Sequence, residues 1–400
     1  MNTVPILYKN AEDCCGCMAC VNACPKDAIS VVADKNGFVF PQINTDLCIR
    51  CHRCLGVCDF KNSDMQDQLG NSPISSFAAV NQDRQVLSKS ASGGVFPAVA
   101  DWVVGQNGYV AGCVFNGEWE PCHIVSNKEE DLQKMQNSKY AQSDVGLVYR
   151  EIKKHLESDK WVLFSGTPCQ CAALYGFLGG RNRYPKLITL DLICHGVPSA
   201  EHLKTYVRYL ENKLGGKLVY LSLRSKRNGW GRVYVEAKVK KPDGKTRRFF
   251  IDRNEEYMID FLSGRLMRES CLKCKYASIN RIGDLTMGDF WGWQTADIKL
   301  KWHRGLSVLY TNTEKGVRMA KDLKMDIQPV PLEATLKNDA LNAPTRLVGD
   351  RNKVLQYYCD NNLRSLYPQQ TLKTRIMLYM QHHIPVYIWI WLRRMKSIIK

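Results

Sequence analysis

Eight cysteines near the amino end stand in two identical ladders. Cys14, Cys17, Cys20 and Cys24 follow a C-x-x-C-x-x-C-x-x-x-C spacing closed by Pro25, and Cys48, Cys51, Cys54 and Cys58 repeat it 34 residues later. Three thiolates two residues apart on a tight turn can point at three corners of one iron–sulfur cube. The fourth, after a three-residue gap, falls on the next helical turn and faces away. Such a site moves electrons one at a time. Zinc knuckles and disulfide frameworks also use clustered cysteines, but neither needs a four-cysteine run in duplicate.

This segment resembles the bacterial two-cluster ferredoxin fold over its whole length. In that arrangement the fourth thiolate of each ladder ligates the other cube. Cys14, Cys17, Cys20 and Cys58 are thereby assigned to one 4Fe–4S cluster, and Cys48, Cys51, Cys54 and Cys24 to the second. Residues 29–32 and 38–40, joined by the Asp34-Lys-Asn-Gly37 turn, read as a hairpin that covers the clusters with apolar side chains. Asp59 stands where the first ladder has proline, and the extra thiol Cys15 reads as a spectator.

Further along, several loops carry reactive residue types. Ser92-Gly93-Gly94 before an apolar run offers backbone N–H groups to a phosphate at a helix start, or simply begins the helix. Residues 137–143 combine Lys139, Tyr140, Gln142 and Ser143, a binding loop or a solvated one. Gly166-Thr167-Pro168-Cys169-Gln170 turns sharply after a buried strand, the usual place for ligands in open sheets. Cys194-His195-Gly196 repeats the device. Cys271 and Cys274 form an isolated C-x-x-C: a redox dithiol, half a zinc site or half a cluster site. With Cys169 and Cys194 they could complete four thiolates for a third 4Fe–4S cluster; packed free thiols or zinc are the alternatives.

The elements that must hold these groups alternate in type. Residues 77–80, 109–115, 122–126, 161–165, 187–194 and 306–312 read as strands, with helices over 95–104 and up to 178. Residues 218–251 read as a β-meander turning at Pro242-Asp-Gly. The expected fold is an α+β two-cluster ferredoxin domain followed by a mixed α/β flavin-binding domain with a β-meander region. The units are residues 1–62, a polar linker at 63–76, an oxidoreductase domain at 77–350, and a basic, aromatic helical tail at 351–400.

Taken in series, Ser-Gly-Gly at 92–94, Ser-Lys-Tyr-x-Gln-Ser at 138–143, Gly-Thr-Pro-Cys-Gln at 166–170 and Cys-His-Gly-Val-Pro-Ser at 194–199 resemble one family in order. So do Arg224 to Trp230, the 271–274 pair and the Gly283-Asp-Leu-Thr-Met-Gly-Asp-Phe-Trp291 run. The family is that of the β-subunits of coenzyme F-420 hydrogenases and dehydrogenases, in its bacterial branch. The resemblance implies FAD held by Ser92, Gly93, Gly94, Lys139, Tyr140, Gln142 and Ser143, with Gly166 and Thr167 beside it. Gln170 would sit near the isoalloxazine, and His195 would donate a proton or orient substrate, against its plain reading as a core histidine. Arg224, Lys226 and Arg227 would bind an anionic substrate, or line a solvated strand. Asp284 and Asp289 flank an exposed-looking turn and read as structural.

Composition narrows the rest. The formal charge of +17 falls to about +13 or +11 once two or three dianionic cubes are counted. Residues 1–62 hold six basic and six acidic side chains, so the positive excess lies downstream. No helix-turn-helix, zinc-finger or RNA-binding signature is present, and nucleic acid is not an expected partner. Seventeen cysteines without an apolar leader suit ligated thiols in the cytoplasm. Residues 373–400 carry six basic side chains, no acid and a short aromatic run, suited to a peripheral membrane contact or to docking on protein. Two functions fit: a flavin- and iron–sulfur-dependent oxidoreductase acting on a small organic substrate or hydride carrier, or a non-catalytic subunit passing electrons to a redox partner protein.

Overall fold

The computed structural model describes residues 3–61, 70, 72–226, 229–230, 234–252 and 256–367. The tail at 368–400, most of the linker and Arg227 lie outside the described residues.

The two ladders build a ferredoxin-like unit. Strands β1 (Ile29–Ala33) and β2 (Val39–Ile43) pair antiparallel. Asp34 shapes the turn between them by accepting from the Asn36 and Phe38 N–H groups, both at 2.9 Å. The third cysteine of each ladder rides on a short helix, Ala19–Ala23 or Arg53–Gly56. Each helix is entered through a left-handed residue, Met18 or His52. The hairpin does less covering than expected. Pro41 lines one hollow, and Ile29 and Ile43 line the other, but Val31 and Val32 face solvent. Phe38 and Phe40 are buried beneath the Arg268 guanidinium, and Phe38 also meets His202. The hairpin's aromatic face is used to dock on the body.

The body is built on β3 (Ser75–Asn81), β4 (Tyr109–Phe115), β5 (Pro121–Ser126), β6 (Val162–Gly166) and β7 (Leu187–Leu192), followed by the meander β8 (Lys217–Ser225), β9 (Tyr234–Lys240) and β10 (Thr246–Asp252). Strands β11 (Leu285–Asp289), β12 (Ser307–Thr311) and β13 (Met325–Pro329) complete it. Eight strands form one mixed sheet in the order β13-β3-β12-β11-β7-β6-β4-β5. Its centre, β4-β6-β7-β11, is parallel, and the remaining pairings are antiparallel. Alternation sorts the side chains between the faces. Val162 and Phe164 pack with the helices Val148–Glu157 and Pro168–Leu178, whereas Leu163, Ile188 and Leu190 pack with the helix Val95–Gly105.

The sequence suggests an exposed-looking turn where β11 runs. That expectation is corrected: β11 is a central strand, and Asp284 just before it is 1% exposed. Its carboxylate accepts from Thr189 N (3.0 Å), Thr189 Oγ1 (3.1 Å) and Thr313 Oγ1 (2.9 Å). Beside it Asp191 pairs with Arg281 at 3.2 Å in full burial and accepts from the Ile282 and Gly283 N–H groups. These carboxylates stitch β7 to β11. Strand β13 was not anticipated.

Candidate electron-transfer site

Two hollows gather the ladder cysteines. One, of ≈520 Å³, is lined by Cys14, Cys17, Cys20 and Cys58, with Cys15, Cys54 and Cys169 at its edge. The other, of ≈340 Å³, is lined by Cys24, Cys48, Cys51 and Cys54. Each ladder thus sends its fourth cysteine to the hollow of the other. Among the described residues no three His, Cys, Asp or Glu side chains converge on a single ion. Thiols spread around a hollow are what a cube ligated at its corners requires, and this donor set fits that group. Burial, reinforced by the charge of Cys17, raises the Cys20 and Cys58 thiols, the latter to about 11.

A third set of thiols gathers at the carboxyl ends of the parallel strands. Cys169 opens the helix Pro168–Leu178 just after β6, and Cys194 follows β7; the strands are parallel neighbours, so the two loops lie side by side. Cys271 sits on the 3-10 helix Glu269–Lys273 and Cys274 at its end. Burial raises Cys271 to about 12, with Cys169 and Cys274 adding to it; burial and then Cys271, Cys169 and Cys274 raise Cys194. The Gly196 N–H donates to Cys194 Sγ at 3.3 Å. Gly196 has φ +116°, and a Cβ there would lie 2.6 Å from Met267 Sδ, so glycine lets the two loops cross.

Cys15 is not the spectator expected. Its thiol lines the same hollow as Cys17 and Cys169, which lie in different thiol sets, and these two neighbours push its pKa up. No spacing rule could have shown this, because the contact joins residues distant in sequence.

The first ladder is bolted to the body. The Arg150 guanidinium donates to the Asn22 and Cys24 carbonyls (both 2.8 Å), the Val21 carbonyl (3.2 Å) and Asp27 (2.7 Å). Gln142 Nε2 donates to Cys15 O at 2.9 Å, and Arg268 Nε to Cys14 O at 2.8 Å. Asp59 is buried, accepts from the Tyr276 hydroxyl and pairs with Lys275 at 2.5 Å. The residue that breaks the ladder's proline pattern therefore fastens it to the segment carrying Cys274.

The residues expected to hold FAD fall into two groups. Ser92, Gly93 and Gly94 lie against β12: Gly93 N donates to Ser307 Oγ (2.8 Å), and Ser92 Oγ to Leu306 O (2.6 Å). A Cβ on Gly93 would sit 2.2 Å from Ala79 O, so this glycine serves backbone packing, and its N–H is spent inside the protein. Lys139 also differs from expectation. Its ammonium donates to the carbonyls of Lys134, Met135 and Gln136 (2.7, 2.9 and 2.7 Å), closing the helix Glu129–Met135. Burial lowers it to about 8. A phosphate could recruit it only by undoing that cap. Around them a cationic, aromatic corner remains. Arg224 donates to Ala91 O (3.1 Å) and Tyr140 Oη (3.4 Å), pairs with Asp289 (2.6 Å) and lies over Trp291. Lys226 donates to the Leu87 and Ser92 carbonyls at 2.7 Å, and burial, then Arg224, lowers it to about 7.

The second group faces the cysteines. Gln170 Nε2 donates to Ser143 Oγ (2.9 Å), and Thr167 N to Gln170 Oε1 (3.0 Å), capping the helix that carries Cys169. Gly166 precedes it at the end of β6, packed on Phe164. His195 Nε2 lies 3.1 Å from Leu262 O, and burial lowers its pKa. The Phe261 ring lies between His195 and Tyr140, at 5.3 and 4.7 Å. Residues 139–143 thus run from the Arg224 corner to the first ladder.

Similarity to known proteins follows this division. Residues 159–331 match the family described as the C terminus of the beta subunit of coenzyme F420 hydrogenase/dehydrogenase, and residues 13–62 match the 4Fe-4S dicluster domain. Ser92–Gly94 and Lys139–Ser143 lie outside both stretches. Over 169 residues the chain is 25% identical to the F subunit of the F(420)H(2) dehydrogenase of Methanosarcina mazei. That alignment covers 40% of this chain and 47% of the relative, so the chain spans about half the length of the curated relative it matches. A chain from the F420-reducing NiFe hydrogenase complex of Methanosarcina barkeri aligns with 75% of this chain and 92% of its own length, at 17% identity and a TM-score of 0.44.

Proposed function

We propose, for a chain whose residues 159–331 belong to the family of coenzyme F420 hydrogenase/dehydrogenase beta subunits and whose residues 13–62 belong to the 4Fe-4S dicluster family, an iron–sulfur oxidoreductase that passes electrons between its clusters and a bound flavin. Its substrate would be a small organic molecule or a hydride carrier. The observation that carries this reading is the contiguity of three thiol sets: the outer hollow of Cys24, Cys48, Cys51 and Cys54, the inner hollow of Cys14, Cys17, Cys20 and Cys58 that Cys169 also lines, and Cys169, Cys194, Cys271 and Cys274 at the sheet's carboxyl edge.

A flavin, when bound, exchanges a hydride on one side and single electrons on the other, and 4Fe–4S cubes take electrons singly. The chain's own part is positional. Arg224 and Lys226, with Tyr140 and Trp291, offer a cationic, aromatic corner suited to an anionic ring system. Gln170 and Ser143 hold the loop before Cys169, and the Phe261 ring, in contact with both His195 and Tyr140, links the Cys194 loop to this corner. Lys139, committed to its helix cap, keeps the 137–143 loop in place. The working units are 1–62 and 77–350, with Val354, Leu355, Tyr358 and Leu363 from the start of the expected 351–400 tail packed into the core of the second.

A second reading has its own support. The relative from Methanosarcina mazei is itself named as a subunit, and the loop N–H at Gly93 and the ammonium of Lys139 are already used internally. On that reading the chain feeds electrons to a redox partner protein that owns the chemistry. Anaerobic purification with iron, sulfide and flavin quantitation separates the two. About twelve irons and one FAD per chain support the flavoprotein; full iron without flavin, and turnover only with a partner present, support the electron-feeding role. No described helix is long and apolar enough to cross a membrane. A peripheral role for 373–400 is tested by sedimentation with anionic vesicles after deleting them.

A further inference from the structure

Arg268 is a buried cation without a carboxylate. It is 1% exposed, no ion pair to it exists among the described residues, and Nη2 is buried without a hydrogen-bond partner. Nε donates to Cys14 O (2.8 Å) and Nη1 to Gln142 Oε1 (3.1 Å), and the guanidinium lies 4.2 Å from the centre of the Phe40 ring. A cation so placed is costly unless a negative charge comes with it. The groups that feel its field are cysteines: Cys14 from the inner hollow, and Cys169 and Cys271 from the third thiol set. Cys15 makes the same span, lining one hollow together with Cys17 and with Cys169.

We propose that Arg268 and Cys15 form a polar junction between the inner cluster and a third cluster, raising the reduction potential of both. The inference rests on the reading that Cys169, Cys194, Cys271 and Cys274 hold a cube. A reduced cube carries one more negative charge than an oxidised one. A neighbouring guanidinium and an S–H donor therefore favour the reduced form. The single cation serves both cages because it sits where they meet. The outer cage, ligated by Cys24, Cys48, Cys51 and Cys54, has no share in it.

The competing account makes Arg268 a structural staple acting through its bonds to Cys14 O and Gln142. The two accounts part on charge. Anaerobically prepared full-length protein, wild type and the variants R268K, R268Q and C15A, would be taken through iron quantitation and an EPR-monitored potentiometric titration. R268Q should lower the midpoints of two of three clusters by about tenfold in the reduction equilibrium, about 59 mV for one electron. R268K should stay near wild type, and C15A should shift the same two clusters downward by less. Unchanged midpoints in iron-replete R268Q, or equal shifts in R268K and R268Q, would overturn the junction. If R268Q retains no iron, C15A decides: a downward shift of two clusters supports the proposal, and wild-type midpoints end it. Loss of about four irons from C15A would make Cys15 a ligand and also end it. Wild-type protein with about eight irons removes the third cluster itself, a failure distinguishable from twelve irons with unmoved potentials.

Discussion

The two ladders share a spacing and a backbone yet live in opposite surroundings. Gly16 and Arg50 hold the same place in the repeat, with φ of +67° and +61°, and Met18 and His52 follow at +61° and +58°. A Cβ at position 16 would meet Gln142 Nε2 at 2.5 Å, so glycine is required where the body presses on the first ladder. Arg50 faces solvent. Met18 is buried in the core shared with the helix Pro168–Leu178, while the second ladder's neighbours Leu47 and Ile49 are 53% and 56% exposed. The cysteines set what each cage can bind; the residues between them decide which is inner and which is outer.

That contrast is most sharply tested by removing one ligand from each cage. Cys20→Ala and Cys51→Ala should each cost about four irons. Cys20→Ala should also cut electron delivery to an external acceptor by more than about a hundredfold. Cys51→Ala should leave the inner cluster reducible from the substrate side, read by rapid-freeze EPR. If the inner cluster of Cys51→Ala stays oxidised, the ordering of cages is wrong.

Acid should loosen the inner ladder's hairpin. His202 is buried between the Phe38 and Tyr358 rings with neither ring nitrogen partnered, and burial, then Arg351, lowers it to about 3. The unfolded imidazole, near 6.5, takes its proton first as pH falls, so stability drains away from about pH 6.5 toward 3 and is fully present above that window. The expected total is about 5 kcal/mol. Thermal unfolding against pH should show the slope in wild type and flatten it in His202→Leu; parallel slopes would reject the histidine as its source.

Arg150→Ala strips donors from the Val21, Asn22 and Cys24 carbonyls and should destabilise the docked ladder by about 2 kcal/mol, seen as a lower denaturant midpoint. An unmoved midpoint would mean that the other bolts suffice. The smallest effect belongs outside. Ile49→Glu should slow exchange with a protein acceptor a few-fold while leaving iron content and stability alone. Unaltered exchange would place the electron exit elsewhere.

Much of the scaffold could be read before any coordinates. Residues 109–115 form a short apolar run with β-branched and aromatic side chains, and β4 occupies those residues. The meander turn at Pro242-Asp-Gly joins β9 to β10. The failures have physical causes. Strand β11 is Leu-Thr-Met-Gly-Asp, and its glycine and flanking aspartates imitate a turn, because Asp284 does its bonding sideways to β7. The helix cap made by Lys139 was equally hidden, since a helix's open carbonyls leave no mark on the chain. Arg268 carried no signal at all. An isolated arginine becomes informative only when the fold shows that no acid accompanies it.

Exposure of one cage has a chemical price that the other escapes. Cys51 lies open to solvent while Cys54 behind it is buried, so dioxygen would meet the outer cube's sulfurs before it could reach those shielded by the body. Air should therefore bleach the brown protein in two phases, the faster belonging to the cage nearest the surface.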